Sequence, residues 1–318
     1  MDKNHPRYGP VDSLASPRFS GIRTYARLPN VTDLKDVDVA IVGVPFDTGG
    51  TYRVGARFGP QAIRDASALI RPYHTGSGVA VFDTLSVVDY GDVPVVPGYI
   101  EESYKRIEAG LLEVINAGVI PIDLGGDHSI ALPELRALHE VHGPLALIQF
   151  DSHSDTIDSY FGMSHTHGTP FYHAVNEGLI DTARSSQVGL RGGMYSPRDH
   201  QLPRDMGMQV ITGVEAHELG MAEVAALVKK RAGSAKVFLS FDIDFIDPAY
   251  APGTGTPEIG GFTTWESQSV LRGLDGLDYA GFSVVEVIPA YDLGENTSFV
   301  AANIVFEFLA LVARGRKS

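Results

Sequence analysis

The chain has 318 residues, 44% of them hydrophobic, and a formal net charge of −14 with a pI near 5.1. That acidity argues against a nucleic-acid-binding face and suits a small cationic substrate. There is no cysteine, which excludes disulfides, thiolate metal sites and cysteine nucleophiles, so any metal must be held by oxygen and imidazole.

The opening "MDKNHPRYGP" is polar and lacks the apolar core of a secretory leader. Residues 1–30 read as an N-terminal arm and 31–318 as one domain, in a protein expected to be soluble and cytoplasmic, with no membrane partner. Strands are expected at "DVAIVGVP" from Asp38, "LSVVDYGD" from Leu85, "VIPIDLGG" from Val119 and "LALIQFD" from Leu145. Four more follow: "SQVGLRGG" from Ser186, "MQVIT" from Met208, "KVFLSFDID" from Lys236 and "AGFSVVEV" from Ala280. Several are continuous apolar runs, as in parallel sheets covered on both faces. Helical patterns lie between them: "ESYKRIEAGLLEVINAG", "LPELRALHEVHG", "MAEVAALVKKRAG" and "TTWESQSVLRGL", the last with Thr263 or Thr264 as N-cap and Glu266 to close a capping box. "IVFEFLALVA" is too short to span a bilayer, contains Glu307 and reads as a core helix. The alternation predicts an α/β sandwich around a mainly parallel sheet.

In open α/β sheets ligands sit beyond the carboxyl ends of strands. Three strand ends carry metal-ligating residue types: Asp127 and His128 in "DLGGDHS", Asp151, His153 and Asp155 in "FDSHSD", and Asp242, Asp244 and Asp247 in "SFDIDFIDP". On extended backbone residues i, i+2 and i+4 share a side, so these sets would converge. Alone, each D-x-H or D-x-D is ordinarily a loop cap, and His128 a hydrogen-bonded core histidine. Together they would put four or more carboxylates in one cleft, where divalent cations are the natural remedy. Oxygen and imidazole ligands suit Mn²⁺, Ni²⁺, Fe²⁺ or Zn²⁺.

"GGDHS", "DSHSD", "HTHGTPF", "SFDIDFIDPAYAPGTGTPEIGG" and "VVEVIPAYD", in this order, resemble the arginase/agmatinase (ureohydrolase) family over nearly the whole chain. The resemblance implies a three-layer α/β/α sandwich with an eight-stranded sheet, usually assembled as homotrimers or hexamers. It implies hydrolysis of a guanidino compound to urea and an amine at two divalent ions, manganese in the family and nickel as the alternative. His128, Asp151, Asp155 and Asp242 would hold one ion and Asp151, His153, Asp242 and Asp244 the other. A hydroxide shared by the metals would attack the guanidinium carbon, oriented by Asp155. Glu286 would pair with the guanidinium and His167 would protonate the leaving amine, with His165 at the entrance. The glycine-rich "GTGTPEIGG" lacks phosphate-loop spacing and reads as a turn-rich active-site loop, and "TYRVGARFGP" as structural packing after the first strand.

The chain departs from the family form at Ser152, where alanine is common, and at Ile157, where arginases carry an asparagine that bonds the substrate's polar tail. Ile157, Tyr160, Met194 and His74 are the expected readers of the tail, His74 from a loop or a neighbouring subunit. Guanidinobutyrate, guanidinopropionate or agmatine lead the expectation. Small alkylguanidines or a biguanide such as metformin, with nickel, are the alternative that Ile157 motivates. A catalytically silent subunit of a hetero-oligomer is the alternative of another class, disfavoured by the complete ligand set.

Overall fold

The computed structural model of the chain describes residues 6–316. The eight runs expected as strands are the eight strands of one sheet: β1 (Val39–Val44), β2 (Val87–Asp92), β3 (Ile120–Gly125), β4 (Ala146–Phe150), β5 (Ser186–Leu190), β6 (Gln209–Thr212), β7 (Lys236–Asp242) and β8 (Asp278–Val285). They lie in the order β2-β1-β3-β8-β7-β4-β5-β6, and every neighbouring pair is parallel. A small antiparallel hairpin, Tyr73–His74 with Val79–Ala80, stands apart.

Alternation along each strand divides the core in two. Val39 and Ile41 of β1 face one hydrophobic cluster, and Ala40, Val42 and Val44 face the other. The first cluster lies under helices α1 (Gly59–Ser67), α7 (Met221–Ala232), α8 (Thr264–Gly273) and α9 (Asn296–Gly315), and the second under α2 (Ile100–Asn116), α3 (Ala131–His142) and α4 (Pro170–Asn176). This is the three-layer α/β/α arrangement. Two short helices, α5 (Arg198–Asp205) and α6 (Gly213–Leu219), flank β6.

Local chemistry sets the helix ends. Thr263 caps α8 through a full capping box: its Oγ1 accepts from Glu266 N at 3.2 Å and its N–H donates to Glu266 Oε2 at 2.8 Å. The last helix is longer than "IVFEFLALVA" suggested. Asp292 accepts the N–H groups of Thr297 and Ser298, both at 2.8 Å, so the helix begins before the apolar run. By length and hydropathy α9 and the turn before it could cross a membrane, yet 78% of that apolar window is buried against the sheet and α1. It is the core helix expected.

The stretch expected to be an arm, whose first five residues lie outside the described part, enters the core at its far end. Tyr25 is fully buried; its N–H donates to Asp89 at 2.7 Å and its hydroxyl to the Ala302 carbonyl at 2.9 Å. Arg64 of α1 binds the same Asp89 with two N–H groups, at 2.8 and 3.0 Å, and Asp92 at 2.6 Å. Arg64→Met leaves Asp89 buried without its cation and is expected to cost about 3–5 kcal/mol, read from urea denaturation. A loss below about 1 kcal/mol would mean the cluster adds no more than a surface ion pair.

Candidate metal centre and active site

The four central strands, β3, β8, β7 and β4, are neighbours, and each ends in residues singled out above. The β3 turn carries His128, β4 runs into Asp151–Asp155, β7 ends on Asp242, and Glu286 follows β8. Asp242 also caps the turn Ile243–Phe245, its Oδ1 accepting the Asp244 N–H at 2.8 Å, which fixes both aspartates at once.

Two clusters result. His128 Nδ1 lies 2.8 Å from Asp155 Oδ2, 3.1 Å from Asp151 Oδ2 and 3.3 Å from Asp242 Oδ2. His153 Nδ1 lies 3.0 Å from Asp244 Oδ2 and 3.6 Å from Asp151 Oδ1. Asp151 therefore turns one oxygen toward each cluster, and the ligand atoms of His128, Asp151 and Asp155, and those of Asp151, His153 and Asp244, lie within 4.8 Å of one another. All these side chains are buried except His153, which is about one-third exposed at 32%. The Ser152 hydroxyl, which needed a partner, sits 3.1 Å from His153 Nδ1.

The donor set fits divalent cations. His128 Nε2 is 2.7 Å from Ser240 Oγ, which leaves Nδ1 aimed at three carboxylates; Nδ1 and Asp244 Oδ2 are buried without a hydrogen-bond partner among the described residues. Burial, and then repulsion from Asp151, raises the Asp155 carboxyl; burial, then Asp244 and Asp151, pushes Asp242 far up. Burial opposes charge on Asp151 as well, yet His128 and His153 hold it well below the usual carboxylate range. Positive charge is therefore favoured between these atoms. A proton on each imidazole supplies one unit per cluster and a divalent ion two.

Next to the clusters Glu286 Oε1 accepts the His128 N–H at 2.9 Å and lies 3.0 Å from His167 Nδ1. His167 Nε2 is 2.7 Å from Thr51 Oγ1. Burial works against a charged His167, but Glu286 outweighs it and lifts the imidazole to about 9; burial in turn would raise Glu286, and His167 holds it below its ordinary value. Asp155 and Glu286 both have left-handed backbone, φ 50° and 65°. Such strain costs on the order of 1–3 kcal/mol in a non-glycine residue and gathers at functional sites. The "GTGTPEIGG" loop closes over this point: a Cβ on Gly255 would sit 3.0 Å from Glu286 Oε2, so glycine spares the buried carboxylate a close contact.

A cavity of about 580 Å³ opens above, lined by His153, Asp155, Asp242 and His167 together with Ile157, Tyr160 and Met194. His74 requires correction. It is buried in the small hairpin, 3.1 Å from Glu307 of α9 and packed on Phe306, and it does not line the cavity. His165 pairs with Glu101 at 2.6 Å and is likewise absent from the lining. Asp127 faces the loop after β1, accepting from Gly49 N at 2.7 Å, and Asp247 accepts backbone N–H groups of Ala249 and Gly261; neither joins the clusters.

Sequence reasoning missed Arg53, which lines the cavity. Its guanidinium stacks on Tyr291 at 4.6 Å and donates to the Thr254 carbonyl at 3.3 Å, and it has no carboxylate partner among the described residues. The loop after β1 is a strand end like the others, which was the available signal.

A model of the arginase family matches residues 37–311. The guanidinopropionase of Pseudomonas aeruginosa is 46% identical over 314 residues, covering 98% of each chain, and the guanidinobutyrase of the same organism is 44% identical with the same coverage. Proclavaminate amidino hydrolase from Streptomyces clavuligerus superposes with a TM-score of 0.91 at 41% identity, over 94% of this chain and all of that one. The matched span contains every strand end that carries a candidate ligand: the chain belongs to the arginase family and is an amidinohydrolase.

Proposed function

We infer that the enzyme cleaves a short ω-guanidino acid, of the guanidinopropionate or guanidinobutyrate type, to urea and an amino acid at a pair of divalent cations. The observation that carries this is the pair of His/Asp clusters sharing Asp151 at the floor of a cavity that holds Arg53. His128, Asp151, Asp155 and Asp242 would hold one ion, and Asp151, His153, Asp242 and Asp244 the other. When bound, the ions neutralise the carboxylates and lower the pKa of water for attack on the guanidinium carbon. The named relatives support the substrate type.

The chain's own residues do the rest. Glu286 offers a carboxylate to the planar guanidinium, which matches it in geometry and charge. Asp155 accepts a hydrogen bond from the attacking water and orients it. His167 carries a proton at neutral pH, with its pKa at about 9, and delivers it to the departing amine nitrogen. Guanidinium plus water gives urea plus an alkylammonium, so the C–N bond to the tail breaks, the C–O bond of urea forms and no net proton is exchanged.

Arg53 would receive the carboxylate at the other end of the substrate. Arg53→Gln is expected to lower kcat/KM for guanidinopropionate and guanidinobutyrate by roughly 5- to 150-fold, equivalent to about 1–3 kcal/mol. The same variant should leave methylguanidine and metformin unchanged. A cationic tail, as in agmatine, is the second reading, because Asp199 and Glu258 line the same cavity. Asp199 is already engaged, accepting from Ser196 N at 3.0 Å and Ser196 Oγ at 2.9 Å. If agmatine leads the wild-type series and Arg53→Gln improves it, the cationic reading replaces the first. Arginine ranks low on the first reading, since Ile157 and Arg53 give its α-ammonium no hydrogen-bond acceptor.

A further inference from the structure

Gln149 and Gln187 are fully buried and face each other in register on β4 and β5. Gln149 Nε2 donates to Asp151 Oδ2 at 2.7 Å and to the His153 carbonyl at 3.3 Å. Gln187 Nε2 donates to Gln149 Oε1 at 2.5 Å and to the Ser154 carbonyl at 2.6 Å. The four amide N–H groups thus serve the Asp151–Ser154 turn or the amide that serves it. Gln187 Oε1 is left buried with no hydrogen-bond partner among the described residues.

The direction of this pair is informative. An ionised carboxylate only accepts, so Gln149 must present its NH₂ group to Asp151. Its carbonyl then faces β5, which forces Gln187 to present NH₂ in turn and strands the last oxygen in the core. A pair serving only to register two strands could satisfy itself without that loss. A buried acceptor without a partner is unfavourable, and that penalty is sustained here to hold one oxygen of one aspartate. That oxygen, Asp151 Oδ2, is the one directed at His128, while Oδ1 is held by the His153 N–H at 2.6 Å.

We propose that Gln149 and Gln187 are positioning residues for the metal centre: a buried two-amide relay that fixes the carboxylate plane of Asp151 and the backbone of the following turn, and so sets metal affinity. The proposal rests on Asp151 being a shared metal ligand. Partners of this kind typically contribute 10- to 100-fold in metal affinity.

The test measures Mn²⁺ and Ni²⁺ affinity by chelator competition, with thermal stability alongside, for wild type, Gln149→Met, Gln187→Met and the double variant. Gln149→Met should weaken metal binding by about 10- to 100-fold. Gln187→Met should weaken it less, because the Asp151 donor remains. The double variant removes both amides together with the stranded oxygen, so its metal-free stability should match or exceed that of the single variants while its metal affinity stays low. If a single variant fails to fold, the double variant decides. Wild-type metal affinity in folded Gln149→Met or in the double variant would overturn the proposal and leave the pair a strand-register device. Absence of metal binding by wild-type protein would instead overturn the reading of Asp151 on which the proposal rests.

Discussion

Asp151→Asn and Asp242→Asn are each expected to abolish urea release and the binding of at least one metal ion. Asp151 turns an oxygen to each cluster, and Asp242 lies 3.3 Å from His128 Nδ1 while its other oxygen holds Asp244. Asparagine keeps the shape and removes one of the charges that two divalent ions require. Metal-free stability should move the other way. With no cation, Asp242 is a buried carboxylate repelled by Asp244 and Asp151, so Asp242→Asn is expected to raise the metal-free Tm while removing function. Retained activity in either variant, or a lowered metal-free Tm in Asp242→Asn, would count against a shared-carboxylate centre.

His167→Ala is expected to lower kcat by roughly 10²- to 10⁴-fold with metal content unchanged, the scale of lost general acid–base catalysis. His165 offers no substitute, because its ring is held against Glu101 and Tyr104 outside the cavity. The same variant should flatten a pH effect on stability. The imidazole rises from 6.5 to about 9 on folding, so its pairing with Glu286 contributes stability that is complete below the unfolded value and lost as pH rises through the folded one. Denaturation midpoints on either side of that window should diverge less in His167→Ala than in wild type, the remaining change coming from His128 and His153, which are also raised. Undiminished turnover in His167→Ala would reassign the proton donor.

The strands were legible because parallel strands buried on both faces leave apolar runs, unbroken in Val39–Val44 and interrupted only by Gln149 in Ala146–Phe150. Short helices were not. Helix α4 has seven residues and α5 contains Pro203, and neither carries enough turns for an amphipathic period to emerge. The clusters were readable because each D-x-H or D-x-D sits at a strand end, although the residues after β4 do not continue the strand. A left-handed Asp155 brings its carboxylate back to His128. What could not be read was every role defined by contact across the sheet: Arg53 against Tyr291, the Gln149–Gln187 pair, and His74, which the hairpin carries to α9. Alternation along one strand says which way a side chain points, not what a distant segment places opposite it.

Metal-stripped protein titrated with Mn²⁺ or Ni²⁺, with bound metal counted by elemental analysis and urea release from guanidinopropionate followed in parallel, tests the central claim most directly. Activity should be absent without metal and reach its plateau at two ions per chain, with the ions about 3.5–4 Å apart when the loaded enzyme is crystallised. Full urea release from protein that holds no divalent metal, or a plateau at a single ion, would contradict it.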